Sequence, residues 1–512
     1  MKSLCVKNFR SIENSGEIEL KPISIFLGKN SCGKSSFMRL LPLLKQTLES
    51  DVNEPLLWYG DYVDFGDFKN ILPTGSMDDF IELSFNLAIT PYLDNFLAIS
   101  DKSFKTKVAL KITEKYIKEV AINYFDQDIL ISFKEENELD KIVINGQPFT
   151  YEENSLLWEK NKNKLIPSIY EKTFPKQYMN STMMYYYYRY HEKTPNGYLQ
   201  NEIIDVISIF TSNSTEDVSK IKLFQELSTL HSKKLLLKKL RSKKSFKRVV
   251  QYFADRDIDD ETFIRLNNLI VFDQLNFIIE GINKKLNEIF ENTYYLKPIR
   301  VNAERYYRIQ GITINKVDAD GSNLPMIFYN MSDTTRLEFE KWCLEKFDLF
   351  FSVETTEGHV SIIVQDQKGN KSNLVDTGYG FSQVLPIIVQ LWLLKCNTSS
   401  GKRASEKEIL LVIEQPELHL HPAFQAKLME VFVALIREMQ QVGIKFKIVF
   451  ETHSETMINR LGYLISQEKL KKELVNIILV EKENQGSQFK QVGFTNDGFV
   501  EHWPIGFMSP EE

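Results

Sequence analysis

The eight residues from Gly28 to Ser35 constrain the fold of this chain more than any other feature. They read GKNSCGKS and fit the pattern G-x-x-x-x-G-K-[ST]. An apolar run from Ile23 to Leu27 precedes them, and an apolar helical pattern beginning near Met38 follows. A strand, glycine-rich loop and helix in this order form a phosphate-binding loop, or P-loop, whose backbone N–H groups surround a polyphosphate. The pattern therefore predicts an α/β fold with a nucleotide site at the end of one strand.

The side chains of this loop have predicted roles in binding ATP and magnesium. Lys34 is expected to reach the β- and γ-phosphates, and the Ser35 hydroxyl is expected to bind Mg²⁺. The predicted ATP-binding residues of this segment are Gly28, Asn30, Ser31, Gly33, Lys34, Ser35 and Ser36.

Two further apolar runs in the C-terminal third end in polar residues. Ile409 to Ile413 is wholly apolar, as expected for a buried parallel strand, and Glu414 follows it directly. A P-loop needs an acidic residue at the end of a neighbouring strand, so Glu414 is predicted to bind magnesium together with Ser35. Another apolar strand, 446–450, leads into Glu-Thr-His-Ser, where His453 could contact a γ-phosphate.

The order of four motifs resembles that of a known family. After the P-loop come DTGYGFSQ (376–383), IEQPELHLHP (413–422) and ETHSE (451–455). This order is similar to that of ABC-type ATPase heads. It is most similar to the branch that contains the SMC, Rad50 and RecF proteins and the OLD-type and Septu- or PARIS-type ATPases of bacterial anti-phage defence. The resemblance implies an α/β fold with a P-loop mixed sheet flanked by helices and an antiparallel β subdomain.

The resemblance also implies how ATP is held. In such heads ATP lies between the P-loop of one subunit and the signature loop of another. Carried over residue by residue, this places Gly380, Ser382 and Gln383 in the signature, against a γ-phosphate bound by the second subunit. His453 resembles the switch histidine, and Arg10 resembles the residue near the base and phosphates. The implied assembly is a homodimer or higher homo-oligomer, with ATP and Mg²⁺ as cofactors.

One position departs from the family pattern. ABC ATPases usually place a glutamate directly after the acid that we assign to Glu414, but this chain has Gln415. An amide can orient water but cannot accept its proton. Glu417 is the nearest candidate base, with His453 in support, so we expect slow ATP hydrolysis and a long-lived ATP-bound dimer. The water-positioning glutamine of the family is also unassigned, because 58–66 contains none.

Hydrophobic periodicity divides the chain into three predicted segments. Residues 1–150 are the N-terminal half of the head with the P-loop and an antiparallel β subdomain, because apolar residues alternate between 80 and 134. Residues 151–292 are a mostly helical insertion with a basic segment. Residues 293–512 are the C-terminal half of the head, with the signature, Glu414 and His453.

The insertion contains a dense basic run. Nine of the sixteen residues from Lys233 to Arg248 are Lys or Arg, and none is acidic. Such a run either binds an external anion, which could be the phosphates of DNA or RNA or an acidic partner, or forms a helix with buried leucines and a solvated basic face. Acidic residues between Asp255 and Glu261 could neutralise part of it. A tyrosine-rich run at 185–190 could stack on bases or pack in a core or interface. Where the head resumes, the segments 297–300 and 304–306 resemble a basic motif of the defence branch, and we expect Arg300 or Arg305 to face the nucleotide or the dimer seam.

Composition excludes several classes of protein. A chain of 512 residues with 43% hydrophobic and 26% charged residues is folded rather than disordered. It has no uncharged apolar run of about 18 residues and no apolar block at its start. We therefore expect a cytoplasmic protein that neither spans nor binds a membrane. The four cysteines lack C-x-x-C or Cys/His spacing, which disfavours a disulfide framework and a zinc site.

The leading functional hypothesis is an ATP-driven sensor and scaffold of an anti-phage defence system. It would control a separate effector, a nuclease or toxin, because too few residues follow His453 for another catalytic domain. The first alternative is a DNA-repair or chromosome-maintenance ATPase that clamps DNA. The second is a pseudo-ATPase that uses ATP as structural glue. A transporter's nucleotide-binding subunit is disfavoured by the large polar insertion.

Overall fold

The structure is a computed structural model of the chain. The chain forms two compact units. The structure describes residues 1–52, 54–89, 103–135, 138–149, 156–159, 163–171, 198–311, 316–366, 369–399, 407–483 and 486–502. The tyrosine-rich run at 185–190 lies outside these ranges. The P-loop unit comprises Val6–Glu49, Leu57–Ser76 and Glu288–Glu512, and the insertion unit comprises Met1–Cys5, Ser50–Leu56 and Met77–Asn287.

A six-stranded, mostly parallel sheet forms the centre of the P-loop unit. Its strands are β4 (Ile23–Leu27), β13 (Thr293–Leu296), β18 (Glu408–Glu414), β19 (Lys445–Glu451), β20 (Val475–Glu483) and β21 (Gly486–Val492). The strand order is β13-β18-β19-β4-β20-β21, and every neighbouring pair is parallel except the β20–β21 hairpin. Because β4 and its parallel neighbours point the same way, their carboxyl ends meet at one edge of the sheet.

Helices pack around this sheet in the P-loop unit. They are α1 (Lys34–Met38), α2 (Leu40–Glu49), α9 (Leu324–Asn330), α10 (Asp333–Phe347), α11 (Tyr379–Ser399), α12 (Pro422–Gln441) and α13 (Glu455–Ser466). Among the described residues, α11 alone is long and apolar enough to cross a membrane. Its apolar stretch is Tyr379–Cys396, and 67% of that stretch is buried inside the protein. A core helix passes the same test, and Val384, Leu385 and Ile388 of α11 belong to the main hydrophobic core.

A smaller, four-stranded sheet also belongs to the P-loop unit. β14 (Tyr307–Arg308), β15 (Phe350–Thr356), β16 (His359–Gln365) and β17 (Lys371–Asn373) form an antiparallel sheet. Near the start of the chain, β1 (Ser3–Phe9) pairs with β2 (Ile12–Asn14) and β3 (Ile18–Glu19).

The insertion unit combines an antiparallel meander with a helical cluster. The meander contains β5 (Ile81–Ile89), β6 (Phe104–Ile112), β7 (Ile117–Tyr124), β8 (Gln127–Phe133), β9 (Leu139–Ile144) and β10 (Gln147–Pro148). A separate hairpin joins β11 (Leu156–Glu159) and β12 (Ser168–Glu171). The helices are α3 (Tyr198–Phe210), α4 (Asp217–Leu227), α5 (Lys233–Arg241), α6 (Lys247–Phe253), α7 (Glu261–Asp273) and α8 (Leu275–Glu291).

The predicted α/β fold is confirmed by this architecture. The alternation of apolar residues between 80 and 134 does mark an antiparallel sheet, and the 3.6-residue period of 275–289 does mark a helix. The antiparallel strands β5 to β10 and the insertion helices belong to the same compact unit. The division of the chain into three segments, with boundaries at 150 and 292, stays a prediction.

Candidate nucleotide-binding site

Two glycines allow the P-loop to approach the β20–β21 hairpin closely. A Cβ atom on Gly28 would lie 2.2 Å from the Val480 carbonyl oxygen. Gly33 caps α1 with a φ of 105°, and a Cβ there would lie 2.6 Å from Ser487 Oγ. Both positions therefore require glycine, the first for space and the second for space and backbone conformation. The loop between them includes the predicted residues Asn30 and Ser31, and Ser31 has a φ of 59°.

The P-loop lysine folds back over its own loop. Lys34 is 5% exposed, and its Nζ donates hydrogen bonds of 2.8 Å to the carbonyl oxygens of Gly28 and Lys29. Both acceptors are neutral, so the anionic oxygens of a polyphosphate would be stronger partners for the same ammonium group.

The P-loop serine contacts a carboxylate that the sequence analysis did not assign. Ser35 Oγ donates a 2.6 Å hydrogen bond to Glu451 Oε2, at the end of β19. Glu451 is 2% exposed, and burial together with the nearby Glu414 raises its pKa to about 7. Glu414 and Glu451 are register partners on adjacent strands, so two carboxylates meet at the edge where the loop begins.

Glu414 itself is fully buried and has partners for both oxygens. Arg39 binds it through two parallel hydrogen bonds of 2.7 Å, from Nε to Oε1 and from Nη2 to Oε2. The Tyr295 hydroxyl donates a third bond of 2.6 Å to Oε1. These bonds raise the pKa of Arg39 above its ordinary value, and burial next to Glu414 raises the pKa of the Tyr295 phenol. The charge of Glu414 is thus compensated within the protein.

Gln415 and Glu417 follow Glu414 in a tight turn beside the end of β19. Gln415 has a φ of 45°, and its N–H donates a 3.2 Å bond to the Glu451 carbonyl oxygen. Glu417 Oε1 accepts a 2.7 Å bond from the backbone N–H of His453. Glu417 Oε2 is buried and has no hydrogen-bond partner among the described residues. Burial raises the pKa of the Glu417 carboxyl.

His453 lies near the P-loop lysine. Partial burial and the charge of Lys34 lower the pKa of its imidazole, which favours a neutral ring at pH 7. The structure therefore brings three sequence-predicted residues, Lys34, Glu417 and His453, to the same edge of the sheet.

The predicted signature residues lie at the start of α11. A Cβ on Gly380 would lie 2.4 Å from the His419 carbonyl oxygen, so this turn packs directly on the segment after β18. Ser382 Oγ donates a 2.7 Å bond to the Tyr379 carbonyl oxygen. The Gln383 amide is 1% exposed and exchanges bonds with the backbone of Arg300. Contact of these three residues with a second subunit's ATP stays a prediction.

Arg300 connects the signature segment to the end of β18. Its Nη1 donates to the Gln383 carbonyl oxygen and its Nη2 donates to the Glu414 carbonyl oxygen, each at 3.0 Å. It is 1% exposed, and burial lowers its pKa to about 10, which keeps it charged at pH 7. Arg305 is exposed and ion-paired with Asp376 at 2.6 Å.

Arg10 also lies within reach of the charges at this edge. Its guanidinium carbon lies 4.8 Å from the centre of the Phe65 ring, and burial and Arg39 lower its pKa. The segment 58–66, which has no glutamine of its own, is held by Gln46 of α2. The Gln46 amide nitrogen donates to the Leu57 carbonyl oxygen at 2.6 Å, and its oxygen accepts from the Val63 N–H at 3.0 Å.

The oxygen atoms at this edge suit a magnesium ion, but they are too few to complete its coordination without other ligands. Ser35, Glu414 and Glu451 supply hard oxygen atoms, which Mg²⁺ prefers. Within the described residues, no group of three or more His, Cys, Asp or Glu could hold a metal ion. A magnesium ion here would therefore depend on phosphate oxygens and water for the rest of its ligands.

Comparison with known proteins gives a family match over most of the chain. The model of the AAA ATPase domain family matches residues 1–458. A solved SMC head domain with an extended coiled coil, bound to the C-terminal domain of ScpA and derived from Pyrococcus furiosus, is 11% identical. It has a TM-score of 0.35, with 96% of this chain and 95% of that chain covered. The SMC head domain from Thermotoga maritima is 9% identical and has a TM-score of 0.32, with 96% of this chain and 97% of that chain covered. No curated protein matches the chain.

Proposed function

The chain belongs to the AAA ATPase domain family, and from that premise we propose that it is a slow, magnesium-dependent ATPase that dimerises around ATP. The proposal is supported most directly by the convergence of Lys34, Ser35 and Glu417 at one edge of the parallel sheet. A lysine, a hydroxyl and a buried carboxylate with an unbound oxygen are the groups that phosphoryl transfer to water needs.

Phosphate binding depends on the loop and its lysine. The backbone N–H groups between Gly28 and Ser36 would bind the phosphates, and Lys34 would exchange its two carbonyl partners for phosphate oxygens. Arg10 would lie toward the base and phosphates.

Ser35, Glu414 and Glu451 are the residues that would hold magnesium. A bound ion would neutralise charge on the β- and γ-phosphates. Glu451 is already hydrogen-bonded to Ser35, whereas Glu414 lies on the next strand with its charge compensated by Arg39. We therefore assign Glu451 the position nearest the ion and Glu414 a supporting position.

Slow turnover follows from the residues after β18. Gln415 can orient the attacking water but cannot take its proton. In the described part of the chain, one buried oxygen of Glu417 has no hydrogen-bond partner, and the N–H of His453 binds the other oxygen. Burial also raises the pKa of this carboxyl. Both properties suit a general base that works near neutral pH.

Phosphate release from three variants tests the assignment of the base. Glu417→Gln should lower the rate at least tenfold, since general-base catalysis contributes about 10²–10⁴-fold, while ATP affinity stays within about threefold. Gln415→Glu should raise the rate, because it supplies a second carboxylate. Glu438→Gln makes the same chemical change at an exposed site on α12 and should have no effect. A fast wild-type enzyme that neither active-site change affects would contradict the proposal.

The ATP-bound dimer would use Gly380, Ser382 and Gln383 against the partner's nucleotide. Mass photometry of Glu417→Gln should show doubling of the particle mass with Mg²⁺-ATP, and Lys34→Ala should remain at the lower mass. Doubling in both variants would show that association does not depend on ATP.

In the cell we propose a sensor and scaffold of anti-phage defence, located in the cytoplasm, that controls a separate nuclease or toxin. The motif order and the large insertion unit support this role. Expression with the neighbouring genes and analysis of the purified complex should reveal the effector. Gln415 favours one alternative, a pseudo-ATPase that uses ATP as structural glue, and ATP-dependent assembly without any hydrolysis would support it.

A further inference from the structure

The insertion unit presents an exposed, basic helix–turn–helix formed by α5 and α6. Six of its cationic side chains are exposed, and none of them is ion-paired among the described residues. One of these, Arg241, donates hydrogen bonds to the backbone carbonyl oxygens of Phe253 and Arg256. The other five are Lys234, Lys238, Lys244, Lys247 and Arg248, which together we name the basic surface. The neighbouring Lys243 differs, because it is paired with Glu226. We propose that the basic surface, together with Phe125, binds single-stranded nucleic acid.

Three of the four leucines between these cations are core residues, and the fourth, Leu235, is 46% exposed. Leu236, Leu237 and Leu240 are at most 4% exposed and pack in one cluster with Val249 and Phe253. The apolar side of α5 is therefore buried in the unit and is not available for insertion into a lipid surface. What α5 offers to the outside is mostly charge.

The cations of α5 lie at both ends of the helix, and Lys238, Lys239 and Arg241 occupy its last turn, where the helix dipole favours them. Lys233 and Lys234 occupy the first turn of α5, which contains no acidic residue, and the helix dipole disfavours cations there. Lys234 and Lys238 lie at i and i+4, so two exposed cations share one face of the helix. Among the described residues, the exposed side chains of this row have no acidic partner, and the nearby Asp126 carboxylate binds the Lys233 N–H rather than a lysine side chain. The row is therefore available to an external anion.

An exposed aromatic ring lies next to this row. Phe125, at the turn between β7 and β8, is 55% exposed with a φ of 50°, and its ring stacks on that of Phe104 at 5.0 Å. The adjacent Asp126 carboxylate accepts hydrogen bonds of 2.9 and 3.1 Å from the Lys233 N–H. The turn is thus attached to the first residue of α5, and an aromatic platform adjoins a row of cations.

This combination matches single-stranded nucleic acid better than other polyanions. Proteins that bind single strands track the phosphates with cations and stack bases on aromatic rings. The acidic residues Asp255, Asp257 and Asp259 follow the C-terminal end of α6, whereas Lys247 and Arg248 lie at its start. The seven residues of α6 separate the two groups by about 10 Å, roughly one Debye length at 0.1 M salt.

Fluorescence anisotropy with a labelled oligo-dT of about 20 nucleotides tests the proposal on the full chain. The site variant carries Lys234→Gln, Lys238→Gln, Lys244→Gln and Lys247→Gln. Its affinity at about 50 mM salt should fall at least tenfold, and the slope of log affinity against log salt should become shallower by about 3. The matched control changes four exposed lysines on the meander of the same unit, Lys105, Lys115, Lys134 and Lys141, to Gln. The control should stay within about twofold of wild type.

Phe125→Leu separates stacking from charge. It should weaken single-strand binding by about fivefold or more, with an unchanged salt slope and unchanged duplex binding. Circular dichroism should confirm that each variant is folded. Equal losses in the site and control variants, absence of oligonucleotide binding by wild type, or preference for phosphatidylserine vesicles or polyglutamate would each overturn the proposal. None of these measurements depends on ATP hydrolysis.

Discussion

Charged groups at the P-loop edge and on the basic surface are arranged in opposite ways. At the edge, Glu414 is fully buried and held by Arg39 and Tyr295 at 2.6–2.7 Å. On the basic surface, exposed cations lack acidic partners among the described residues. A buried charge must be paired because its desolvation is costly, whereas water solvates an exposed charge at little cost. The first arrangement fixes positions for chemistry, and the second leaves charge available to a partner.

The largest expected effect is a loss of ATP affinity caused by a substitution in the P-loop. Gly28→Ala places a methyl group 2.2 Å from the Val480 carbonyl oxygen and so displaces the loop. ATP affinity, measured with a fluorescent analogue, should fall about a hundredfold or more, since the loop's N–H groups no longer converge. Gly311→Ala is the matched control, because a Cβ there meets nothing within 4 Å. Retained ATP binding in Gly28→Ala would show that the loop can move away from β20.

The second prediction compares one ion pair from each region. Arg39→Gln leaves Glu414 buried without its cation and should lower the free energy of unfolding by about 2–3 kcal/mol. The side chain of Arg39 is 33% exposed, which places the loss at the low end for a buried pair. Lys243→Gln breaks the exposed pair with Glu226 in the insertion unit and should cost less than about 1 kcal/mol. Urea unfolding of both variants measures the two losses of unfolding free energy. Equal losses would show that the buried pair at the P-loop edge is no more important for stability than the exposed pair.

The third prediction concerns a buried histidine that precedes α5. Burial lowers the pKa of His231 to about 4, whereas an unfolded chain has its ordinary value near 6.5. Between these values the unfolded state binds more protons, so stability falls as the pH drops from 7 toward 4. The contribution of this residue to the loss should reach about 3 kcal/mol at pH 4. Unfolding of His231→Leu across this pH range should show a shallower decline, and a profile parallel to that of wild type would contradict the assignment.

The smallest expected effect has the opposite sign. Lys234→Gln with Lys238→Gln removes a like-charge pair at i, i+4 and should raise the free energy of unfolding by about 0.2–0.5 kcal/mol. Thermal melts at low salt would reveal the gain, and high salt should reduce it. A loss above about 1 kcal/mol would mean that these lysines stabilise α5.

Residues of the candidate site that are close in sequence carry a recognisable signal, whereas pairings between distant strands carry none. The P-loop was recognisable because strand, glycines, lysine and helix are contiguous, and Glu414 because it ends an apolar strand. Glu451 also follows an apolar strand, so the same signal marks it as an acidic residue at this edge of the sheet. Arg39 lies one helical turn after Ser35, which was a usable signal for a residue on the same face.

Other partners had no local signal. Tyr295 reaches Glu414 only because β13 lies beside β18, and this pairing is a tertiary property. The burial of Arg300 against Gln383 likewise depends on how α11 packs on the end of β18. The basic run was predicted with two alternatives open, and its exposure and its buried leucines both required the structure.

The position of β4 in its sheet has a consequence for biosynthesis. Its neighbours β19 and β20 begin at residues 445 and 475, so a ribosome makes the P-loop strand long before either of them. During most of translation this apolar strand has no sheet to join and would need shielding, for instance by a chaperone. A polypeptide terminated before residue 408 would contain the P-loop but neither of the buried carboxylates Glu414 and Glu451 beside it.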